Sequence, residues 1–134
     1  MKKIETETGR RGVLGERAAV RYLRRRLYRI LECNWFFYRK EIDIIACRGR
    51  TLVICEVKTR TQSALVPSPY GPPSAAVNFA KQRNLKTAGR AYARSIRWRG
   101  RIRMDIIEVY LSPLDEKGRQ KIERIVHLRD AFTA

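Results

Sequence analysis

The chain has 134 residues, 44% of them hydrophobic, with 30 basic side chains against 13 acidic ones and a formal net charge of +17. That length suits one domain and allows roughly two-thirds of the unfolded surface to be buried, so a core can form without staples. No stretch approaches about 18 consecutive apolar residues, and the start M-K-K-I-E-T-E-T-G-R-R has no apolar run behind it; neither a membrane span nor a secretory signal is expected, and the expected location is cytoplasmic.

Cys33, Cys47 and Cys55 are odd in number and lack C-x-x-C spacing, which favours reduced, buried thiols over a disulfide or a zinc site. His127 is the single histidine and lies in a strand-like run, so a structural role is expected of it rather than a place in a triad or a histidine-based metal cage. The positive charge falls in blocks. Residues 1–30 carry ten basic and three acidic side chains, residues 81–103 nine basic and none acidic, and residues 104–134 five against six. Two basic blocks on one small body point to a polyanion partner, nucleic acid first. The plainer alternative is a highly soluble surface.

In chain order, residues 1–11 read as a flexible basic arm. From Gly12 to about Tyr28, Leu14, Ala18 and Tyr22 recur at four, as do Ala19, Leu23 and Leu27, which predicts an amphipathic helix. Residues 28–38, Y-R-I-L-E-C-N-W-F-F-Y, read as a first strand. Glu41–Cys47 and Thr51–Thr59 follow as strands apolar on both faces, hence central in a covered sheet. Residues 61–75 are read as a mobile loop, since Pro67, Pro69, Pro72 and Pro73 oppose regular structure. Ser74 is the expected cap of a helix from about Ala75 to Ile96. Ile102–Leu111 and Ile122–Leu128 complete the pattern as fourth and fifth strands. The order helix, three strands, helix, two strands describes a single α/β domain over 1–134, with a central sheet flanked by helices.

The central strands carry acids that such strands should avoid. Asp43 stands among Ile42, Ile44 and Ile45, and Glu56 and Lys58 end the run from Leu52. An unpaired buried charge costs several kcal/mol or more, so these groups need a partner, an ion or water. A two-residue turn with Gly49 first and Arg50 second suits a type II′ hairpin. It pairs Arg48 with Thr51, and counting back sets Asp43 opposite Glu56. In a regular ladder both carboxylates, and Lys58, then share one face, with Cβ atoms roughly 4.5–5.5 Å apart. Opposed carboxylates are relieved by a proton, a lysine or a divalent cation, and hard oxygen ligands suit Mg²⁺ or Mn²⁺. Two acids and a lysine around such a cation, on a basic body, fit a phosphodiester hydrolase. A carboxylate–lysine salt bridge closing the sheet end fits the spacing equally well.

The ordered set of Glu16, then Asp43, then Glu56-Val57-Lys58 resembles the restriction-endonuclease-like (PD-(D/E)xK) nuclease core, in a layout similar to that of archaeal Holliday-junction resolvases. More closely, the chain resembles the YraN family of small bacterial proteins, through G-E-R-A-A at Gly15–Ala19, E-I-D-I-I-A at Glu41–Ala46, V-I-C-E-V-K-T-R at Val53–Arg60, the Lys81 region and R-M-D-I-I at Arg103–Ile107. The resemblance implies a restriction-endonuclease-like fold and a Mg- or Mn-dependent endonuclease acting on DNA in preference to RNA, at branched or damaged structures. By position it implies that Asp43, Glu56 and Glu16 hold the metal and that Lys58 is the catalytic lysine. It sets Lys81 at the phosphate; Arg17, Arg60, Arg83 and Lys86 are further candidate nucleic-acid contacts. Glu41 is expected at the rim, and Asp105 in a structural pairing. A homodimer follows by analogy with junction resolvases. The alternatives are a nucleic-acid-binding protein that keeps the fold without turnover, and a basic RNA- or ribosome-associated structural protein.

Overall fold

The computed structural model describes residues 7–61 and 77–133. The elements are α1 (Glu7–Arg25), β1 (Arg29–Phe37), β2 (Lys40–Arg48), β3 (Thr51–Thr61), α2 (Phe79–Ser95), β4 (Arg101–Leu111) and β5 (Ile122–Phe132). The five strands form one mixed sheet in the order β1-β2-β3-β4-β5. Only β3 and β4 are parallel, as a connection that passes through a helix allows. This is the expected α/β architecture, with the layout of a restriction-endonuclease-like core.

Each helix covers one face. Ala18, Ala19 and Leu23 of α1 pack on Ile44, Ala46, Val53, Cys55, Ile107 and Val109. Leu85, Ala88, Tyr92 and Ala93 of α2 pack on Ile45, Leu52, Ile54, Met104 and Ile106. The central strands β2, β3 and β4 therefore bury both faces, which is why they read as nearly continuous apolar runs.

Several boundaries differ from the sequence expectation. Helix α1 begins at Glu7, so residues 7–11 of the expected arm are helical. It stops at Arg25, and Leu27 is 83% exposed rather than part of the apolar stripe. Leu27 takes φ 67°, while the N–H groups of Leu27 and Tyr28 bond the carbonyls of Arg24 and Leu23 at 3.0 Å each. That is a Schellman closure with leucine where glycine is usual. Helix α2 ends the same way: Arg97 takes φ 55° and the Trp98 N–H reaches the Ala93 carbonyl at 2.8 Å. The cap of α2 is Asn78, whose side chain accepts the Lys81 N–H at 2.9 Å; Ser74 lies outside the described residues. Thr61 belongs to β3, and the rest of the expected loop, from residue 62, lies outside them too. Strand β5 runs four residues beyond Leu128 because it pairs with β4 as far as Phe132↔Met104.

Gly15 sets how closely α1 approaches the sheet. A Cβ there would overlap the Thr59 side chain of β3. Alanine would gain about 1 kcal/mol in helix propensity, but overpacking against a strand costs about 1–3 kcal/mol. Gly15→Ala should therefore lower the melting temperature, and adding Thr59→Ala should recover part of the loss, as read by thermal unfolding of the two variants side by side.

Candidate functional site

The hairpin has the expected register. Gly49 takes φ 58°, Arg48 pairs with Thr51, and the ladder runs back to Ile44↔Cys55. The next pair would be Asp43 and Glu56, and there the ladder ends. In place of a backbone rung, the Asp43 carboxylate accepts the Val57 N–H at 2.8 Å.

The shared face expected for the two carboxylates, which the sequence-based site required, is not found: Asp43 and Glu56 come from different sides of the sheet. Val53, Cys55 and Val57 belong to the α1 layer, and Leu52 and Ile54 to the α2 layer. Alternation along β3 thus puts Glu56 and Lys58 on the α2 side. There Lys81 of α2 lies 3.7 Å, and Lys58 3.5 Å, from Glu56 Oε1. Asp43 instead lines a groove beneath α1, together with Glu16, Arg17, Cys33, Asn34 and Ile44.

A local irregularity puts it there. Ile44 and Ala46 pack in the α1 layer, but Ile42 packs in the α2 layer with Ile45, which strict alternation forbids. The register holds on both sides of the break, at Cys33↔Ile44 and Trp35↔Ile42, so Asn34 faces Asp43 across the two strands. Asn34 takes φ 50°, a left-handed conformation that asparagine tolerates better than most residues. Its Nδ2 donates to Glu16 Oε1 and Oε2 at 3.3 and 3.2 Å and to Glu41 Oε1 at 3.1 Å. The carboxylates of Glu16, Glu41 and Asp43 consequently lie within 4.8 Å of one another. Glu41, expected only at the rim, is a full member of this group. Asn34 was missed from sequence; the one available signal was an asparagine inside an aromatic strand.

The electrostatics follow from burial. Glu56 is 4% exposed, and its Oε2 is buried without a hydrogen-bond donor. Burial, then repulsion from Asp43, pushes its pKa up to about 7, against the opposing pull of Lys81 and Lys58. Burial also raises Asp43; the Val57 N–H and a hydrogen bond with Glu56 oppose that rise. An acceptor oxygen that faces another carboxylate is satisfied only by a proton or a cation. The donor set at this point is all hard oxygen, which suits Mg²⁺ or Mn²⁺. The residues therefore fit a divalent cation among the oxygens of Glu16, Glu41 and Asp43, with Glu56 beyond Asp43 on the α2 side.

The remaining candidates divide. Arg17 lines the α1 groove, and Lys81 reaches Glu56. Arg60 is held at Nε by the buried Glu108 at 2.8 Å. Arg83 is exposed on α2. Lys86 is directed elsewhere, over the Phe132 ring at 6.0 Å. Asp105 has the structural pairing expected of it. Although burial opposes its charge, His127, Arg103 and the Asp130 N–H hold its pKa below the usual carboxylate value, with His127 Nε2 at 2.6 Å and Arg103 at 2.8 Å.

The profile of the uncharacterised protein family UPF0102 matches residues 15–109. This chain belongs to the UPF0102 (YraN) family. A UPF0102 protein of Alkaliphilus oremlandii is 40% identical over 126 residues, covering 90% of this chain and 96% of the relative. That of Caldanaerobacter subterraneus is 38% identical over 133 residues, covering 98% and 100%. One from Chlorobaculum parvum is 39% identical over 123 residues, covering 90% of each. The UPF0102 match begins at Gly15, beside the helical glutamate, and spans β1 to β4, so every carboxylate of the site lies within it. Among the described residues, no helix is long and apolar enough to cross a membrane.

The raised Glu56 pKa has a direct consequence for stability. A carboxyl group whose folded pKa lies above its unfolded value of 4.5 contributes stability below that value and loses it as pH rises through about 7. Chelated protein should therefore melt lower at pH 8 than at pH 6, and Glu56→Gln should flatten that difference. Added Mn²⁺ should raise the melting temperature more at pH 8, where no proton competes for the carboxylate.

Proposed function

We propose that this UPF0102 protein is a Mg²⁺- or Mn²⁺-dependent nuclease that hydrolyses phosphodiester bonds of DNA, at branched or damaged sites. The observation that carries this reading is the apposition of Asp43 and Glu56 at the end of the β2–β3 ladder, with one buried carboxylate oxygen unsatisfied and two lysines beside it. The resemblance to PD-(D/E)xK nucleases and the +17 charge support the substrate class.

In this reading Asp43 and Glu56 hold the cation, and Glu16 and Glu41 complete its oxygen surroundings directly or through water. The bound cation supplies Lewis-acid polarisation of the scissile phosphate. The chain's own groups do the rest. Lys58 and Lys81 share Glu56 Oε1, and a phosphate arriving there offers both ammonium groups a better-exposed anion. Lys58 then stabilises negative charge that grows on the phosphoryl oxygens. Glu16, in the open groove beneath α1, orients the attacking water and can accept its proton. Asn34 keeps Glu16 and Glu41 aimed at Asp43. Arg17 and Lys81 steer the strand from the two sides of the sheet end.

A second reading, nucleic-acid binding without turnover, has its own supporting observation: the lysines already neutralise Glu56 Oε1, so one oxygen of the pair does not require a cation. Purified protein with Mn²⁺ and a panel of duplex, flayed and four-way DNA separates the two. Nuclease activity should fall by 10²-fold or more in Asp43→Ala and Lys58→Met, as expected when transition-state stabilisation is removed. Cleavage unchanged in Asp43→Ala would belong to a contaminant. Salt-sensitive binding with no cleavage of any substrate would select the second reading.

A further inference from the structure

The β1–β2 hairpin ends beside the carboxylate group and carries three aromatic side chains in succession: Phe36, Phe37 and Tyr38. Phe37 is anchored. It stacks on Trp35 with ring centroids 6.4 Å apart, and Trp35 meets Tyr92 of α2 edge-on at 5.1 Å. Tyr38 rests against Phe37 at 4.7 Å yet is 84% exposed, and Phe36 is 56% exposed. Trp35 and Phe37 belong to the α2 layer, so alternation turns Phe36 to the side of Asn34 and Glu41. Phe36 pairs with Glu41 and lies two residues, roughly 7 Å along the strand, beyond the asparagine that binds Glu16 and Glu41.

Two costs are concentrated here. Aromatic surface is left in water, where burial would stabilise it. Tyr38 also takes φ 55° as the first central residue of a turn whose flanking pair is Phe37↔Lys40. Glycine or asparagine fills such a position without the steric penalty that a bulky residue carries there. The turn also carries Arg39 and Lys40, so positive charge directly follows the exposed Tyr38 ring, while Glu41 stands opposite Phe36. Aromatic faces next to cations on a strongly basic body match the requirements of unpaired nucleobases, which stack on rings while their phosphates meet the charges.

We propose that the Phe36–Tyr38 tip is a base-stacking wedge for DNA strands with unpaired bases next to the candidate metal centre. The inference rests on the nucleic-acid reading above and deepens it by naming the substrate class: a duplex that opens into single strands, with the stacked base close to the phosphate held at Asp43 and Glu56. Intact duplex offers the wedge no free base face, so it binds through charge alone.

The test uses the full chain in chelator, without turnover, and two fluorescent DNAs of equal length: a fully paired duplex and a flayed duplex with 2-aminopurine at the fork. The wild-type protein should bind the flayed DNA roughly tenfold or more tightly, the scale expected for one or two stacked bases, and should change the 2-aminopurine emission on binding. Phe36→Ala with Tyr38→Ala should abolish both the preference and the emission change, while duplex affinity and its salt dependence stay unchanged. Phe36→Leu with Tyr38→Leu keeps apolar surface without rings and should behave like the alanine pair. Circular dichroism checks that both variants fold. Retained preference in either double variant would overturn the wedge, as would equal affinity of the wild type for the two DNAs. So would a shift from dimer to monomer in the variants by light scattering, since the rings would then cover a second copy of the chain. Because nothing in this assay depends on cleavage, an inactive protein that still prefers forked DNA would sink the nuclease reading alone.

Discussion

The hydrogen bond from the Val57 N–H to the Asp43 carboxylate, 2.8 Å long, is the contact on which the arrangement of the site depends. A backbone donor inside a sheet must be satisfied. Here the neighbouring strand offers a side chain instead of its carbonyl. That substitution ends the β2–β3 ladder at Ile44↔Cys55 and brings a carboxylate between two strands. Glu56, on the next residue of the same strand, then has a charged neighbour that it cannot avoid. Burial first, and then the Asp43 charge, raises the pKa of Glu56, whose Oε2 is left without a donor.

Two buried acids on neighbouring strands differ in how fully their surroundings satisfy them. Asp105 on β4 and Glu56 on β3 are both almost fully buried. Asp105 is surrounded by donors, with Arg103, His127 and the Asp130 N–H on its two oxygens. It is held in the charged state, and no further ligand is required. Glu56 faces a like charge and two partly exposed lysines at 3.5–3.7 Å. Its charge is only partly compensated, which leaves room for a proton or a cation. The first is a closed network that ties β4 and β5 to Tyr28 and Tyr22 below α1. The second leaves one buried carboxylate oxygen without a donor.

The parts that could be read from sequence are those governed by short-range rules. Gly49 followed by Arg50 sets a two-residue turn, and counting from it recovers every observed pair of β2 and β3. Apolar runs on both faces identify β2 and β3 as central, and the charged run E-V-K is conspicuous because buried strands exclude charge. Helix ends were harder to read, because Leu27 and Arg97 hold left-handed positions that glycine would have advertised. Asn34 was invisible for a related reason: its left-handed φ and its two carboxylate partners come from segments 18 and 7 residues away, beyond any periodic pattern.

By itself the sequence determined the register of the hairpin, the presence of Asp43, Glu56 and Lys58 in its central strands, and the basic character of the chain around them. Period-two alternation and turn chemistry act over a few residues and need no knowledge of the rest of the chain. Only the tertiary structure decided that Asp43 and Glu56 approach from opposite layers, that Glu41 and Asn34 join them, and that Lys86 does not. Those outcomes depend on where a ladder stops and where α1 and α2 dock. Both are settled by the packing of residues distant in sequence against a twisted sheet.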